Sequence, residues 1–542
     1  MFLAFHQVLI PVQNAALSSL IALVPVIVLL VLLAAFRMTA WLAALIGSAV
    51  TFLLALFIWQ TPVEAAGKAY VYGSLTGIEA VDWITFWGVV IFNTLVVTGN
   101  FDRFRDWLVV HATEDVRVQA ILLAWAFGAL LEGLVGFGYP WSVVAPILIA
   151  LGVVEIEALR VAAIANNAPV SFGALGAPII ALATVTGLNL FELTASIGRV
   201  VAILAILPPW VLLYLVSGWR GIRTGWPLAV VGSGAYILGQ YPTSQWLGPY
   251  LPDIVGSLVC FGALLLLLRF WRPSPVLAFG GAPRVAGASP ALAVRREEEP
   301  GSRGSVLVSI LPFVILVIVV VLWTGPWSPL QKITPWSIAV TGAPSIGKKA
   351  VKAAFEFKPF IAGTAILVSW LLTLAVVRPT GAQIADVFRR TFAQMWAALL
   401  VGVFIFGLAY VFNFSGMASS LANGFSKVGP AFIVLAPILG WIGVALSGSN
   451  TSTNTLFGAF QMTVGKLLHF PPLLLPTVNS VGAEIGKPVA IQTASVGVST
   501  TSYVRNEGAA IRHNMGWTLI LLVYLIAIGC FYYFLLPQAM TH

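Results

Sequence analysis

Apolar runs of about twenty residues recur along the whole chain, and they constrain the fold more than any other feature. A helix of that length spans about 30 Å, the thickness of the hydrocarbon core of a bilayer. Only 9% of the 542 residues are charged, too few to cover the surface of a soluble fold of this size. The sequence therefore predicts an all-α polytopic membrane protein. The clearest runs are residues 17–36, 41–59, 84–99, 200–216, 254–270, 306–323, 360–377, 396–412 and 517–534.

The basic residues lie in short loops between the apolar runs. The formal net charge of +9 therefore follows the positive-inside rule for cytoplasmic loops and does not indicate a nucleic-acid partner. Residues 1–14 carry no Lys or Arg, so the first run is predicted to be a retained span and not a signal peptide. Arg37 follows that span and places the N-terminus outside.

A polar segment divides the chain near its middle. Residues 271–305 contain five arginines and three glutamates and are rich in Pro, Gly, Ala and Ser, which predicts a flexible cytoplasmic linker. The two membrane halves are then residues 1–270 and 306–542. Loop charges orient them oppositely, so we predict two inverted-topology repeats, one at about 84–217 and one at about 396–536.

Each half contains two polar, glycine-rich interruptions at nearly the same spacing. The second interruption begins 34 residues after Glu132 in the first half and 32 residues after Ser447 in the second. Such pairs predict broken helices or re-entrant hairpins, which mark the midplane site of secondary transporters. The interruptions are residues 132–140, 166–178, 447–454 and 479–488.

The composition of these interruptions suits a small hydroxylated anion. Freed N–H groups at a helix end attract an anion, and Ser, Thr and Asn side chains add neutral hydrogen-bonding groups. The alternative is that small residues only allow close helix packing. The predicted substrate-binding residues are Asn166, Asn167, Ser171, Gly173, Ser449, Asn450, Thr451, Asn479 and Lys487.

Three ionisable residues are predicted to couple transport to protons. Glu132 ends an apolar run, and an ionisable residue inside the membrane is costly and indicates function; the alternative is a solvated interfacial Glu. Glu484 lies three residues before Lys487, so the two either pair with each other, or Lys487 attracts the substrate while Glu484 titrates. His513 is predicted either to relay a proton or to lie at the interface.

Other polar residues carry less information. Glu79 and Asp82 are expected to be solvated at the outer end of a span. The five histidines form no cluster with the spacing of metal ligands, so we expect no metal and no cofactor, and an intramembrane enzyme is disfavoured.

The motifs resemble those of the bacterial L-lactate permease family over essentially the whole chain. That resemblance implies a protein of the bacterial inner membrane with about 12–14 transmembrane segments. It also implies import of L-lactate or related 2-hydroxy acids such as glycolate by proton symport. The matching residues are 131–133, 136–138, 168–170, 172–174, 218–222, 251–254, 440–444, 454–457 and 486–487.

The sequence departs from the family pattern in three places. Members of the family often carry an acid where this chain has Asn450, and Pro-Gln-Ser where it has residues 491–493. Glu484 is an acid where a small or neutral residue is expected. We hypothesise that Glu484 compensates for the acid missing at Asn450. The coupling ion is predicted to be H⁺, with Na⁺ as the alternative because the hydroxyl-rich segment 447–454 suits sodium.

Overall fold

The computed structural model describes residues 7–111, 113–136, 138–283, 306–325, 327–342 and 351–541. Within these ranges the chain is almost entirely helical, which confirms the predicted helical membrane fold. The helices of the first half are α1 (Ala15–Ala34), α2 (Ala40–Phe57), α3 (Val63–Gly77), α4 (Trp83–Val97), α5 (Asn100–His111), α6 (Val116–Gln119), α7 (Gly128–Leu134), α8 (Tyr139–Ala150), α9 (Glu155–Ala165), α10 (Gly173–Thr186), α11 (Leu190–Leu204), α12 (Pro208–Trp246) and α13 (Pro252–Phe270).

The described residues of the second half are mostly helical, and they include one β-hairpin, which adds a small sheet to the predicted all-α fold. Strands β1 (Trp336–Gly342) and β2 (Val351–Phe357) pair antiparallel. The helices are α14 (Val306–Thr324), α15 (Ala362–Val377), α16 (Gly381–Ser415), α17 (Met417–Phe425), α18 (Phe432–Ser447), α19 (Asn450–Leu467), α20 (Leu474–Gly486), α21 (Ile491–Val498) and α22 (Glu507–Phe534).

The number of continuous apolar segments is lower than the 12–14 spans that the resemblance implied. Ten helical segments of the described chain are long and apolar enough to cross a bilayer, and a bent pair makes eleven. One of the ten, Leu190–Trp246, has 57 residues, more than two crossings of about twenty residues need. The difference therefore arises partly because consecutive helices join without a clear break.

Helices end at all four predicted interruptions. Gly136 and Gly138, with φ of 68° and 75°, connect α7 to α8, in a region that glycine adopts readily. The 3₁₀ turn Val170–Phe172 joins α9 to α10 across a bend of 67°. Gly448 ends α18 with φ of 74°, and the 3₁₀ turn Lys487–Val489 follows α20. The inverted relation of the two halves stays a prediction.

The two halves pack against each other through these broken helices. Helix α10 contacts α19, α11 contacts α20 and α9 contacts α22. The segment Val116–Leu134, which includes a π-helical stretch, is buried along its whole length, whereas only a third of α1 and α2 is buried. The broken helix that ends near Glu132 therefore lies at the centre of the bundle.

The structure corrects the expectation for Asp82. This residue ends the π-helical segment Ile78–Asp82 and is only 7% exposed. It packs on Gly402 of α16, where an added Cβ would lie 2.3 Å from its Oδ1. Glu79 is half-buried, and its carboxylate accepts the backbone N–H of Lys358 at 2.5 Å. The prediction that both are solvated was wrong for Asp82, because a helix of the second half covers it.

A buried ion pair holds the start of the predicted linker. Asp115 accepts the backbone N–H of Arg117 at 2.9 Å and caps α6. The Arg117 guanidinium donates to both Asp115 oxygens and to the carbonyl of Pro275, at 2.5–2.8 Å. Leu277 N–H also donates to Asp115. Residues 271–283 are thus fixed against α6, and residues 284–305 lie outside the described residues.

We expect Arg117→Met to destabilise the protein by about 3–5 kcal/mol, because it leaves Asp115 buried without its counter-charge. The measurement is thermal unfolding of the purified protein in detergent. Arg389→Met is the control, since the Arg389 side chain is 80% exposed and its ion pair with Asp386 is solvated; such pairs contribute little. Equal midpoints for the two variants would contradict this account.

Candidate functional site

The first interruption is joined to the fourth by a buried ion pair. Glu132 lies in the last turn of α7, and Lys487 begins the 3₁₀ turn after α20. Lys487 Nζ donates to Glu132 Oε1 at 2.5 Å, with side-chain exposures of only 6% and 2%. Asn166 Nδ2 donates to the other Glu132 oxygen at 3.1 Å. Lys487 therefore pairs with Glu132 of the other half, and not with Glu484 on its own helix.

Glu484 forms a second contact between the halves. Its Oε2 accepts the backbone N–H of Ser171 at 3.1 Å and also the Ser171 hydroxyl. The Ser171 hydroxyl also lies 3.5 Å from that of Ser480. Glu484 is fully buried, and its Oε1 has no hydrogen-bond partner among the described residues. The second interruption is thus fastened to α20 through a carboxyl group.

Amide side chains extend this contact into a network. Asn454 Nδ2 donates to the carbonyl of Pro178 at 3.0 Å and to the hydroxyl of Ser480 at 2.9 Å. Asn479 Nδ2 donates to Asn454 Oδ1 at 3.2 Å, and Gln461 Nε2 donates to Asn479 Oδ1 at 3.2 Å. All four polar side chains are buried. The third and fourth interruptions therefore share hydrogen bonds with α10.

Three of the asparagines predicted to bind substrate have side-chain oxygens that accept no hydrogen bond from the described residues. Asn450 Nδ2 donates to the carbonyl of Ser480 at 3.2 Å, and Asn167 Nδ2 donates to that of Ile164 at 3.3 Å. The Oδ1 atoms of Asn166, Asn167 and Asn450 are buried and have no partner in the described part of the chain. Such oxygens are available to a hydrogen-bond donor on a ligand.

Gly173 contacts the ion pair directly. A Cβ at this position would lie 2.5 Å from Glu132 Oε1 and 3.2 Å from its Cδ. The absence of a side chain at Gly173 therefore lets the start of α10 approach the carboxylate. This proximity agrees with the selection of Gly173 as a site residue, although the backbone there is extended and does not require glycine.

Ser449 and Thr451 make local contacts. Ser449 is the N-cap of α19 and accepts the backbone N–H of Ser452 at 3.1 Å. Thr451 is half-buried, and its carbonyl accepts the Thr455 hydroxyl at 2.7 Å. The structure therefore gives Ser449 a capping contact and Thr451 a contact within its helix, and their predicted role in substrate binding stays a prediction.

His513 belongs to a different polar cluster. Its Nε2 lies 2.8 Å from Glu157 Oε1, and its Nδ1 lies 2.7 Å from Arg160 Nη2. Because arginine only donates hydrogen bonds, Nδ1 must accept and Nε2 must donate to Glu157. The cluster joins α9 to α22, and the hydrogen bonds of His513 do not go to the Glu132–Lys487 pair.

The sequence interpretation missed several residues of the buried centre. Asp253, in the first turn of α13, is 1% exposed and accepts the Tyr236 hydroxyl at 2.8 Å. Asn454 could have been predicted as a site residue from the sequence, because it lies one helical turn after Asn450. Ser480 lies one helical turn before Glu484, and Gln461 lies two helical turns after Asn454, and both are buried. Asp253 lies in the family-matching segment 251–254, but that match assigned it no role, and an acid in the first turn of a helix is commonly explained by its favourable interaction with the helix dipole.

The centre therefore combines a fixed cation, three carboxyl groups and several amides at the ends of broken helices. These groups can hold a small anion and exchange a proton with it.

Two solved structures are similar to the chain. They are the YdaH transporter of Alcanivorax borkumensis, with 14% identity, TM-score 0.46 and coverage of 96% of this chain and 99% of that one, and MtrF of Neisseria gonorrhoeae, with 14% identity, TM-score 0.47 and coverage of 88% and 84%.

Sequence comparison decides the family. The chain matches the L-lactate permease family over residues 18–536. It is 33% identical over 540 residues to the glycolate permease GlcA of Escherichia coli K12, with 95% of each chain covered. The chain belongs to the L-lactate permease family. The L-lactate permeases of Escherichia coli K12 and Bacillus subtilis 168 are each 32% identical to it, with 94% of this chain and 95% of theirs covered. This permease is therefore a multi-pass membrane transporter and not an enzyme.

We expect Lys487→Met to lower the stability of the permease by about 3–5 kcal/mol, because Glu132 would remain buried without a counter-charge. The double variant Glu132→Gln/Lys487→Met removes both charges and should recover most of that loss. Thermal unfolding in detergent measures both variants. Additive losses in the double variant would show that the two side chains do not depend on each other.

We expect Gly173→Ala to displace the Glu132 carboxylate, at a cost of about 1–3 kcal/mol for overpacking. The unfolding midpoint should fall accordingly. Gly234→Ala in α12 is the matched control, since a Cβ there meets nothing within 4 Å and alanine favours a helix. If Gly173→Ala unfolds at the same temperature as Gly234→Ala, the close approach of α10 to Glu132 is not structurally important.

Proposed function

We propose that this permease imports lactate and similar 2-hydroxy monocarboxylates such as glycolate by proton symport, through alternating access to the buried centre. The names of the glycolate and L-lactate permeases that it resembles support the substrate class. The observation that carries the mechanism is the ion pair between Lys487 and Glu132, which places a fixed cation and an acid in contact between the broken helices of the two halves.

The ion pair supplies a simple coupling scheme. The carboxylate of a substrate and that of Glu132 compete for the same ammonium group on Lys487. A proton on Glu132 removes its negative charge and releases Lys487 for the substrate. The loaded pair then contains one cation and one anion, as the empty pair does. Neither form adds an unbalanced charge inside the membrane, where such a charge is costly.

The unused acceptor oxygens favour a 2-hydroxy acid. Asn166 already donates its amide N–H to Glu132, so its free Oδ1 belongs to the same small region as the ion pair. The C2 hydroxyl of lactate or glycolate can donate to Asn166 or Asn450 while the carboxylate binds Lys487. An acid without the hydroxyl leaves a buried acceptor unpaired, which lowers its affinity.

The predicted placement in the cell completes the proposal. We expect the permease to lie in the bacterial inner membrane with its N-terminus outside and residues 271–305 in the cytoplasm. The arginines of that segment, and those near Arg105 in α5 and Arg220 in α12, support this orientation through the positive-inside rule.

Sodium coupling is the alternative. The hydroxyl-rich segment that suggested it bonds largely to itself, since the Ser447 and Thr453 hydroxyls lie 3.1 Å apart and Thr453 also donates to the carbonyl of Ser449. These oxygens are already used by the protein, whereas Glu132 offers a group that can carry a proton. The proton is therefore the preferred coupling ion.

The direct test is uptake of labelled L-lactate into proteoliposomes with an inside-alkaline pH gradient and no sodium. We expect accumulation that a protonophore abolishes. Accumulation that requires sodium would replace the proton as the coupling ion. No lactate uptake with either gradient would contradict the proposed substrate.

Variants then locate the coupling acid. Glu132→Gln should lose proton-driven accumulation but retain exchange of labelled for unlabelled lactate, since exchange needs only the loaded carrier and lactate supplies the counter-charge for Lys487. Glu192→Gln, an exposed acid in the first turn of α11, is the matched control and should behave as the wild type. Glu484→Gln tests the hypothesis that Glu484 compensates for the acid missing at Asn450. An unchanged pH dependence of uptake would contradict that hypothesis.

A further inference from the structure

Three carboxyl groups share the buried centre with one lysine. Lys487 pairs with Glu132, and neither Glu484 nor Asp253 has a cation within salt-bridge distance among the described residues. Asp253 nevertheless lies close enough to Glu132, Glu484 and Lys487 to interact electrostatically with all three. The single cation can balance only one of the three acids.

Asp253 packs against Gly133, the residue that follows Glu132 in α7. A Cβ at Gly133 would lie 2.7 Å from the Cβ of Asp253, so α13 packs directly on the residue after Glu132. The hydroxyl of Tyr236, a fully buried residue of α12, donates to Asp253 Oδ1 at 2.8 Å. The other oxygen, Oδ2, is buried and has no partner in the described part of the chain.

Burial and charge balance favour the neutral form of Asp253. Ionisation would place an anion without a counter-charge beside the carboxyl groups of Glu132 and Glu484 in a buried region. That cost is far greater than the weak preference of a helix N-terminus for an anion can offset. In a neutral carboxyl group, Oδ1 is the carbonyl oxygen that accepts from Tyr236. Oδ2 then carries a hydrogen that no described residue accepts.

We propose that Asp253 stays protonated throughout the transport cycle and donates a hydrogen bond from Oδ2 to the carboxylate of the substrate. This inference rests on the proposed function and adds a substrate-binding residue to it. The Lys487 ammonium and the Asp253 hydroxyl then bind the two oxygens of one monocarboxylate, and Tyr236 positions the acid. Asp253 contributes affinity, and Glu132 carries the coupled proton.

The test compares two substitutions that differ in hydrogen-bonding capacity. Asp253→Asn keeps a donor at the position of Oδ2, whereas Asp253→Leu has similar volume and no donor. For Asp253→Asn we expect proton-driven lactate accumulation with the pH profile of the wild type and a KM within a few-fold. For Asp253→Leu we expect a KM raised roughly tenfold or more, the usual effect of losing a hydrogen bond to a charged group.

The contrast with Glu132 makes the result decisive. The same acid-to-amide change at Glu132 should abolish accumulation, so the two variants are measured side by side. If Asp253→Asn keeps exchange but loses accumulation, Asp253 is a proton carrier and the inference is wrong. If Asp253→Leu has an unchanged KM, Asp253 does not touch the substrate and the inference is equally wrong.

Infrared spectroscopy provides a second test in case the Asp253→Leu variant does not fold and insert into the membrane. The difference spectrum of wild type and Asp253→Asn should contain the C=O stretch of a neutral carboxyl group at pH 8, and lactate should shift that band. A carboxylate band in its place, or a neutral band that lactate leaves unmoved, would overturn the inference. Failure of the proposed function is distinguishable, because the wild type itself would then show no proton-driven accumulation of lactate.

Discussion

The rest of the structure depends on the burial of one ion pair between the two membrane halves. Glu132 and Lys487 are 355 positions apart in sequence and meet at 2.5 Å. Neither charge is tolerable inside the bundle without the other, so the halves must be positioned to within a hydrogen-bond length at this point. The same requirement makes the pair responsive, because any event that neutralises one partner leaves the other available to a new counter-charge.

Broken helices make this contact possible. An unbroken helix has no free N–H or C=O groups near the membrane midplane, whereas the 3₁₀ turn Val170–Phe172 offers the backbone N–H of Ser171 to Glu484. The α7 break after Glu132 and the turn after α20 point charged side chains into the interior and not toward lipid. Backbone interruptions of this kind are tolerated only where protein or water covers them, and here the opposite half provides the cover.

The sequence predicted the positions of these breaks but not the partners across them. Glycine-rich polar segments within apolar runs are a local signal, and they identified Glu132, Ser171 and Lys487. Pairing between segments hundreds of residues apart is set by tertiary packing, so the spacing of Glu484 and Lys487 suggested a local ion pair that does not form. The structure has fewer continuous apolar segments in its described residues than the 12–14 spans that the resemblance implied, because some segments, such as Leu190–Trp246, are longer than one crossing needs.

Asp253 shows why residue type alone cannot assign a role. Its acid occupies the first turn of a helix, where carboxylates are common and usually solvated, and only the packing of α13 against Gly133 places it beside the ion pair. Two acids, Glu484 and Asp253, then exceed the number of cations within the described centre. In a buried site with more carboxyl groups than cations, some of the carboxyl groups are protonated even when no substrate is bound. The number of carboxyl groups therefore does not give the number of protons that a transporter carries. Under the proton symport that we propose, the transported proton is the one whose arrival changes a pairing, and the pairing that it changes is the one between Glu132 and Lys487.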